Sequence, residues 1–313
     1  MTQTFAFVFP GQGSQSVGML GELAERYPLV LQTYAEASDA LGFDLWQMVA
    51  NGPETDLNQT HNTQPALLAA GVAVWRVWQE QGGPAPAMMA GHSLGEYSAL
   101  VSAGAIAFAD GIRLVAERGR LMQEAVPEGT GAMAAILGLE DQAVIEVCAA
   151  SAGDQVVQAV NFNSPGQVVI AGQREAVARA VEAAREAGAK RAVELPVSVP
   201  SHCELMRPAA EKLSERLQDV AVRAPSVPVL HNVSVTTESD PDAIRQRLVE
   251  QLYSPVRWVE TIGAMKQEGV GHVVEAGPGK VLTGLMRRID RTLDASALFD
   301  PQGMEQLLET LNG

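Results

Sequence analysis

The chain has 313 residues, of which 47% are hydrophobic and 19% charged, a composition that builds a sizeable core and excludes a disordered polypeptide. Its 37 acidic and 22 basic residues give a formal charge of -15 at pH 7, which weighs against nucleic acid or an anionic membrane as a general partner; an acidic partner needs a local basic patch.

In chain order, Met1-Thr2-Gln3-Thr4 carries no basic leader, and Phe5 to Phe9 reads as a buried strand ending at Pro10. The loop Pro10-Gly11-Gln12-Gly13-Ser14-Gln15 has Ser16 where a dinucleotide fingerprint needs its third glycine, so a Rossmann site is disfavoured. Residues 20 to 50 have helical periodicity broken at Pro28 and Gly42, and Asn51-Gly52-Pro53 is a turn. A helix is expected to start at Thr63-x-Pro65 and to run through Leu68, Val72, Trp75 and Trp78 to Gly82-Gly83-Pro84. A short apolar run then reaches Gly91-His92-Ser93-Leu94-Gly95 and passes straight into a helical pattern. Asp110 is placed to cap a further helix running to about Val126.

Pro127-Glu128-Gly129-Thr130-Gly131 marks a boundary. Strands at 132–137, 156–161, 167–171 and 191–195, with helices at 140–152 and 173–187, give the order βαββαβ, the ferredoxin-like arrangement. The remainder returns to alternation: a helix opening at His202 and ending near Leu217, a strand at 229–232, helices at 243–252 and 258–268, a strand at 272–276, and Gly277-Pro278-Gly279 turning into a helix at 280–289. The expected fold is therefore α/β: a large hydrolase-like domain with a parallel sheet and a nucleophile elbow, residues 1–127 and 198–313, interrupted by a ferredoxin-like α+β subdomain at 128–197. His92 and Glu96 break the best apolar candidate for a membrane span, so a soluble, cytoplasmic protein is expected.

The chemistry centres on Ser93. Strand, tight turn and helix expose the hydroxyl, and the free N–H groups at the helix start face a developing oxyanion, with Leu94 as the first donor. A serine nucleophile needs a base, and five histidines are available: His61, His92, His202, His231 and His272. His92 points elsewhere on the turn, and His272 sits in a buried strand as a satisfied core residue. His202 lies on a loop, where active-site groups concentrate, which ranks it first. The two cysteines, Cys148 and Cys203, form no disulfide framework, and no Cys/His spacing fits a zinc site. Taken alone, Arg118 also reads as an ordinary helix-surface arginine pairing with Glu117 or Glu124.

Several motifs occur together in one order: Phe9-Pro10-Gly11-Gln12-Gly13-Ser14-Gln15, Gly91-His92-Ser93-Leu94-Gly95-Glu96-Tyr97, Arg118-Gly119-Arg120-Leu121-Met122 and Pro200-Ser201-His202. Asn161-Phe162-Asn163-Ser164-Pro165-Gly166-Gln167, Gln251-Leu252-Tyr253-Ser254-Pro255-Val256-Arg257-Trp258 and Glu275-Ala276-Gly277-Pro278-Gly279 continue the series. The chain resembles, over essentially its whole length, the malonyl-CoA:acyl carrier protein transacylases. The resemblance implies Ser93 as nucleophile and His202 as its base, with the backbone N–H groups of Gln12 and Leu94 as the oxyanion hole. It further implies Arg118 as the anchor of the malonyl carboxylate and the main-chain carbonyl of Gln251 as the group orienting His202, so no catalytic Asp is expected. His92 and Asn163 match positions near the site without an assigned step.

By the same resemblance the reaction is malonyl transfer from malonyl-CoA through a malonyl-serine to the phosphopantetheine thiol of acyl carrier protein, serving fatty acid biosynthesis, without a cofactor or metal and from a chain expected to be a monomer. The partner carrier protein is acidic in the family, and Lys190, Arg191, Lys280, Arg287 and Arg288 are the basic residues available to receive it. Ser201 and Met133 are candidates for shaping the acyl pocket, whose admission of methylmalonyl stays open. Two rivals are a serine thioesterase or lipase and a non-catalytic carrier-binding module. The first lacks a His-Gly-Gly-Gly oxyanion signature and an assignable Asp; the second leaves Ser93, His202 and Arg118 without a purpose.

Overall fold

A computed structural model describes residues 4–197 and 199–312. Met1, Thr2 and Gln3, on which the reading of the leader rests, lie outside the described residues, as do Ser198 and Gly313. The chain starts with β1 (Phe5–Phe9) and the helices α1 (Gly21–Arg26), α2 (Leu29–Leu41), α3 (Leu45–Asn51), α4 (Glu54–Leu57) and α5 (Thr60–Glu80). Next come β2 (Met88–Gly91), α6 (Leu94–Ser102) and α7 (Phe108–Ala125). A second unit follows: β3 (Gly131–Leu137), α8 (Asp141–Ala152), β4 (Val157–Ser164), β5 (Gln167–Gln173), α9 (Arg174–Glu186) and β6 (Arg191–Glu194). A short 3-10 turn (Glu204–Met206) leads to α10 (Arg207–Gln218), β7 (Val229–Leu230), α11 (Pro241–Glu250), α12 (Trp258–Gln267), β8 (His272–Ala276), α13 (Val281–Ile289), β9 (Asp294–Leu298) and α14 (Pro301–Asn312).

The strands form two sheets. One is parallel, in the order β7-β2-β1-β8-β9, with Phe7 level with Met89 on one side and Val274 on the other. All five residues of β1 and of β8 are buried, as strands covered on both faces by helices must be, and this explains the continuous apolar run of β1. On one face Phe7 meets Trp75 and Trp78 of α5 edge-on, at ring separations of 5.5 and 5.4 Å. The other sheet is antiparallel in the order β4-β5-β3-β6. Numbered within its own unit, that order is 2-3-1-4, the ferredoxin-like arrangement. β4 is tied to the loop before α12, where Phe162 N–H donates to Val256 O and Val256 N–H to Val160 O.

Four expectations need correction. Helix α5 begins at Thr60, not Thr63, and Pro65 lies inside it; Asn62 Nδ2 donates to Asp56 O and Thr63 Oγ1 to Leu57 O, tying the early start to the preceding turn. Asp110 does not cap α7, which starts at Phe108; it sits in the first turn and pairs with Arg113. His202 does not open a helix but lies on the loop before the 3-10 turn, with φ 65°. The strand expected at 229–232 ends at Leu230, because His231 and Asn232 turn inward to a buried carboxylate. β9 and α14 have no counterpart in the sequence reading.

Candidate active site

In a parallel sheet, functional groups gather beyond the carboxyl ends of the strands. The loop from Pro10 follows β1, His92 and Ser93 follow β2, and Asn232 follows β7. Ser93 has φ 52° and ψ -109°, a left-handed conformation costly for a residue with a Cβ. Two glycines permit it by close approach. A Cβ on Gly91 would stand 1.8 Å from the Gly95 carbonyl carbon, and one on Gly95 would stand 2.0 Å from Phe9 O.

Asn232 bridges the turn: its Oδ1 accepts from Ser93 N–H at 2.8 Å and its Nδ2 donates to Gly91 O at 2.7 Å. The Ser93 hydroxyl lies 2.8 Å from His202 Nε2, while His202 Nδ1 lies 2.7 Å from the main-chain O of Gln251. A carbonyl can only accept, so the ring proton is on Nδ1 and Nε2 offers its lone pair to Ser93 Oγ–H. Burial, joined by the neighbouring Arg118 charge, pulls His202 down to about 3 and keeps the ring neutral.

Arg118 is buried, at 1% exposure. The glutamates of the surface reading are taken instead by Arg120, which stands three and four residues from Glu117 and Glu124 and pairs with both. Arg118 Nη1 donates to Gln64 Oε1 at 2.9 Å, and its Nη2 donates to Gln251 Oε1 at 2.9 Å and to Ser93 Oγ at 3.2 Å. Its Cζ lies 5.3 Å from the centre of the Tyr97 ring, and its Nε has no hydrogen bond. Burial draws the guanidinium below its usual range, with Tyr97 and Glu96 pushing the other way.

Ser93, His202 and Arg118 line a cleft of about 510 Å³, whose wall also includes Gln12, Leu94, Met133 and Ser201. Leu94 is the first residue of α6, so its N–H has no intrahelical partner; the Gln12 side chain is turned aside to Thr60 Oγ1. His92 donates from Nε2 to Asn163 Oδ1 at 2.8 Å, so it points away from the Ser93 hydroxyl while still lining the cleft. His272 is the satisfied core histidine that its strand implies, bonded to Ser296 Oγ at 2.9 Å. Cys148 and Cys203 are buried and free. Among the described residues no group of three or more His, Cys, Asp or Glu could hold a metal ion, and no helix is long and apolar enough to cross a membrane.

The basic residues fall into one patch and one outlier. Arg191 and Gln167 both pair with Leu137 across β3, and Arg288 Nη1 donates to Gln167 Oε1 at 2.8 Å. Lys190, Arg191 and Arg288 are exposed there, with Arg287 exposed next to Arg288 at the end of α13, whereas the Lys280 ammonium sits over the Phe299 ring, 5.2 Å from its centre. Sequence reasoning missed Gln64, Glu96 and Asn232 as parts of the site and left His231, one of the five candidate bases, without a role; it holds Glu96. Only Glu96 carried a signal, three residues after the serine.

A half-buried serine lining a cleft from a strained strand-to-helix turn, hydrogen-bonded to a neutral histidine, defines the class of serine acyl-transfer sites. The chain matches the model of the acyl transferase domain over residues 6–298. It is 63% identical over 309 residues to the malonyl CoA-acyl carrier protein transacylase of Escherichia coli K12, covering 99% of this chain and 100% of that protein. It is 47% identical to the Bacillus subtilis transacylase, covering 98% and 96%. The structure of an acyl carrier protein S-malonyltransferase from Vibrio cholerae matches with a TM-score of 0.96 at 60% identity, over 97% of this chain and 99% of that one. A complex of a type II PKS acyl-carrier protein with its malonyl-transacylase matches at 0.97 and 59% identity, over 98% and 99%. The chain belongs to the acyl transferase family, among its malonyl CoA-acyl carrier protein transacylases.

Proposed function

We propose that the protein transfers the malonyl group from malonyl-CoA to the phosphopantetheine thiol of acyl carrier protein through a malonyl ester on Ser93, supplying malonyl carrier protein for fatty acid biosynthesis. The observation that carries this reading is the contact of three groups, with Ser93 Oγ 2.8 Å from His202 Nε2 and 3.2 Å from Arg118 Nη2. His202 takes the hydroxyl proton as Ser93 attacks the thioester carbonyl, and the backbone N–H groups of Gln12 and Leu94 hold the tetrahedral oxyanion. One such donor is worth about 2.7–4 kcal/mol. His202 then protonates the leaving coenzyme A thiolate; the carrier thiol gives its proton to the same nitrogen when it attacks the ester.

The malonyl carboxylate is three bonds from the ester oxygen, within reach of a guanidinium that touches the free hydroxyl. Acylation releases the Nη2 donor from Ser93, and the planar fork then takes the carboxylate through two charge-assisted bonds. His92 and Asn163 stiffen the cleft wall, and Met133 and Ser201 bound the acyl group. The exposed patch of Lys190, Arg191, Arg287 and Arg288 receives the acidic carrier protein, with Lys280 a peripheral contributor. No cofactor is needed, since the phosphopantetheine arm belongs to the carrier.

We read residues 1–127 and 198–313 as the catalytic domain and 128–197 as the inserted subdomain, a division supported by the separation of the two sheets. The reading places a monomeric enzyme in the cytoplasm. Isotope exchange between malonyl-CoA and free coenzyme A, without carrier protein, tests the ping-pong step: exchange is expected, and its absence sinks the acyl-enzyme. Free malonate formed faster than malonyl carrier protein points instead to a hydrolase.

A further inference from the structure

Arg118 is a buried cation whose three hydrogen bonds all go to neutral oxygens, those of Gln64, Ser93 and Gln251. Its nearest negative partner stands one residue further back. Glu96, itself fully buried, accepts from His231 Nδ1 at 2.7 Å, Asn232 N–H at 2.9 Å and Gln251 Nε2 at 2.8 Å. The Gln251 carboxamide thus lies between the two charges, its Oε1 facing the guanidinium and its Nε2 facing the carboxylate. The same Nε2 donates to Ser93 O at 3.1 Å, and the main-chain carbonyl of the same residue receives His202.

The spacing Ser93-Leu94-Gly95-Glu96 has the form of a capping box, in which a glutamate reaches back to the N–H of the serine that starts the helix. The structure rules that role out, because Ser93 N–H goes to Asn232 Oδ1. Glu96 is not spent on His231 either. His231 meets the carboxylate through Nδ1 alone, its buried Nε2 having no hydrogen-bond partner, and Glu96 keeps its other oxygen for Asn232 and Gln251.

We propose that Glu96 is the buried counter-charge and positioning residue of the Arg118 clamp, acting through the carboxamide of Gln251. A carboxylate can only accept and a guanidinium can only donate, so together they fix which end of the Gln251 amide faces which neighbour. Had Glu96 bonded Arg118 directly, it would occupy the donors that a substrate carboxylate needs. Placed behind the amide, it balances the charge and leaves the Nε–H and one Nη1 hydrogen free. The inference deepens the malonyl reading and rests on it.

Replacing Glu96 by glutamine puts an NH2 among three donors. It must either face His231, moving that ring's proton to the orphaned Nε2, or take the position that faces Asn232 N–H and Gln251, losing the backbone bond and turning the Gln251 amide over against Arg118. Steady-state transfer from malonyl-CoA and acetyl-CoA in the full chain reads the result. Glu96→Gln is expected to lower kcat/KM for malonyl-CoA about tenfold or more while changing that for acetyl-CoA less than about threefold. Glu96→Asp keeps the charge on a shorter arm and is expected to lose about threefold of the malonyl-to-acetyl ratio; it carries the test if Glu96→Gln does not fold. Equal losses on both substrates, or no loss on either, overturn the proposal. Arg118→Ala separates the two claims: a ratio unchanged there sinks the clamp itself, whereas a collapsed ratio there with an unchanged ratio in the Glu96 variants sinks only the role of Glu96.

Discussion

Arg118 Nη2 lies 3.2 Å from Ser93 Oγ although Ser93 stands on the turn before α6, Arg118 lies within α7 and the two are 25 positions apart. The nucleophile and the cation are therefore parts of one constellation, and the group that attacks and the group that selects are joined before any substrate arrives. What a cleft of this kind accepts is set by the distance between the two, which suits an acyl group ending in a nearby carboxylate.

Removing the cation should cost malonyl transfer far more than acetyl transfer. Charge-assisted hydrogen bonds contribute about 1.5–3 kcal/mol each, so losing two lowers the malonyl rate by about two to four decades. Arg118→Ala, assayed with both thioesters, is expected to show that gap. Arg118→Lys should recover only part of it, since an ammonium cannot form the two parallel bonds.

The neutral state of His202 has a pH signature in stability. Its folded pKa is lowered to about 3 from 6.5, so the unfolded chain binds a proton that the folded chain refuses between those values. The contribution is intact above pH 6.5 and is lost as pH falls toward 3, by at most about 1.4 kcal/mol per pH unit. Chemical denaturation of the wild type and His202→Asn across this window should show the wild type losing ground to the variant as the solution is acidified. A pH-independent difference contradicts the assigned tautomer and its burial.

The elbow glycines should be irreplaceable for steric reasons. A methyl on Gly91 or Gly95 meets backbone atoms at 1.8 to 2.0 Å, so Gly91→Ala and Gly95→Ala are expected to destabilise by more than about 3 kcal/mol and to abolish transfer. Gly263, inside α12 with nothing within 4 Å of its virtual Cβ, is the control: Gly263→Ala should stabilise by about 0.5–1 kcal/mol in thermal melts.

Charge reversal at the exposed patch should separate the two half-reactions. Arg287→Glu with Arg288→Glu is expected to slow transfer to carrier protein at low salt and to leave acylation by malonyl-CoA unchanged. The deficit should shrink as ionic strength rises. Equal rates to carrier protein at low salt remove the patch from the docking surface.

What could be read in advance follows from where the information lies. The elbow was legible because its glycines, serine and flanking periodicities are contiguous, and the ferredoxin-like unit because its six elements follow one another between clear turns. His202 and Arg118 needed the family resemblance, since a loop histidine and a helical arginine look ordinary until the fold brings them to Ser93. Gln64 and Asn232 were invisible: one sits in the first turn of a helix expected to start a residue before it, the other at the end of a strand only two residues long. β9 escaped because it is a half-buried edge strand, Asp-Ala-Ser-Ala-Leu, without β-branched residues.

The central claim is that Ser93 carries the acyl group. Intact-mass measurement after brief exposure to malonyl-CoA, without carrier protein, is expected to show a single malonyl adduct on the wild type and none on Ser93→Ala. An adduct of equal yield on Ser93→Ala, or none on an active wild type, contradicts the account.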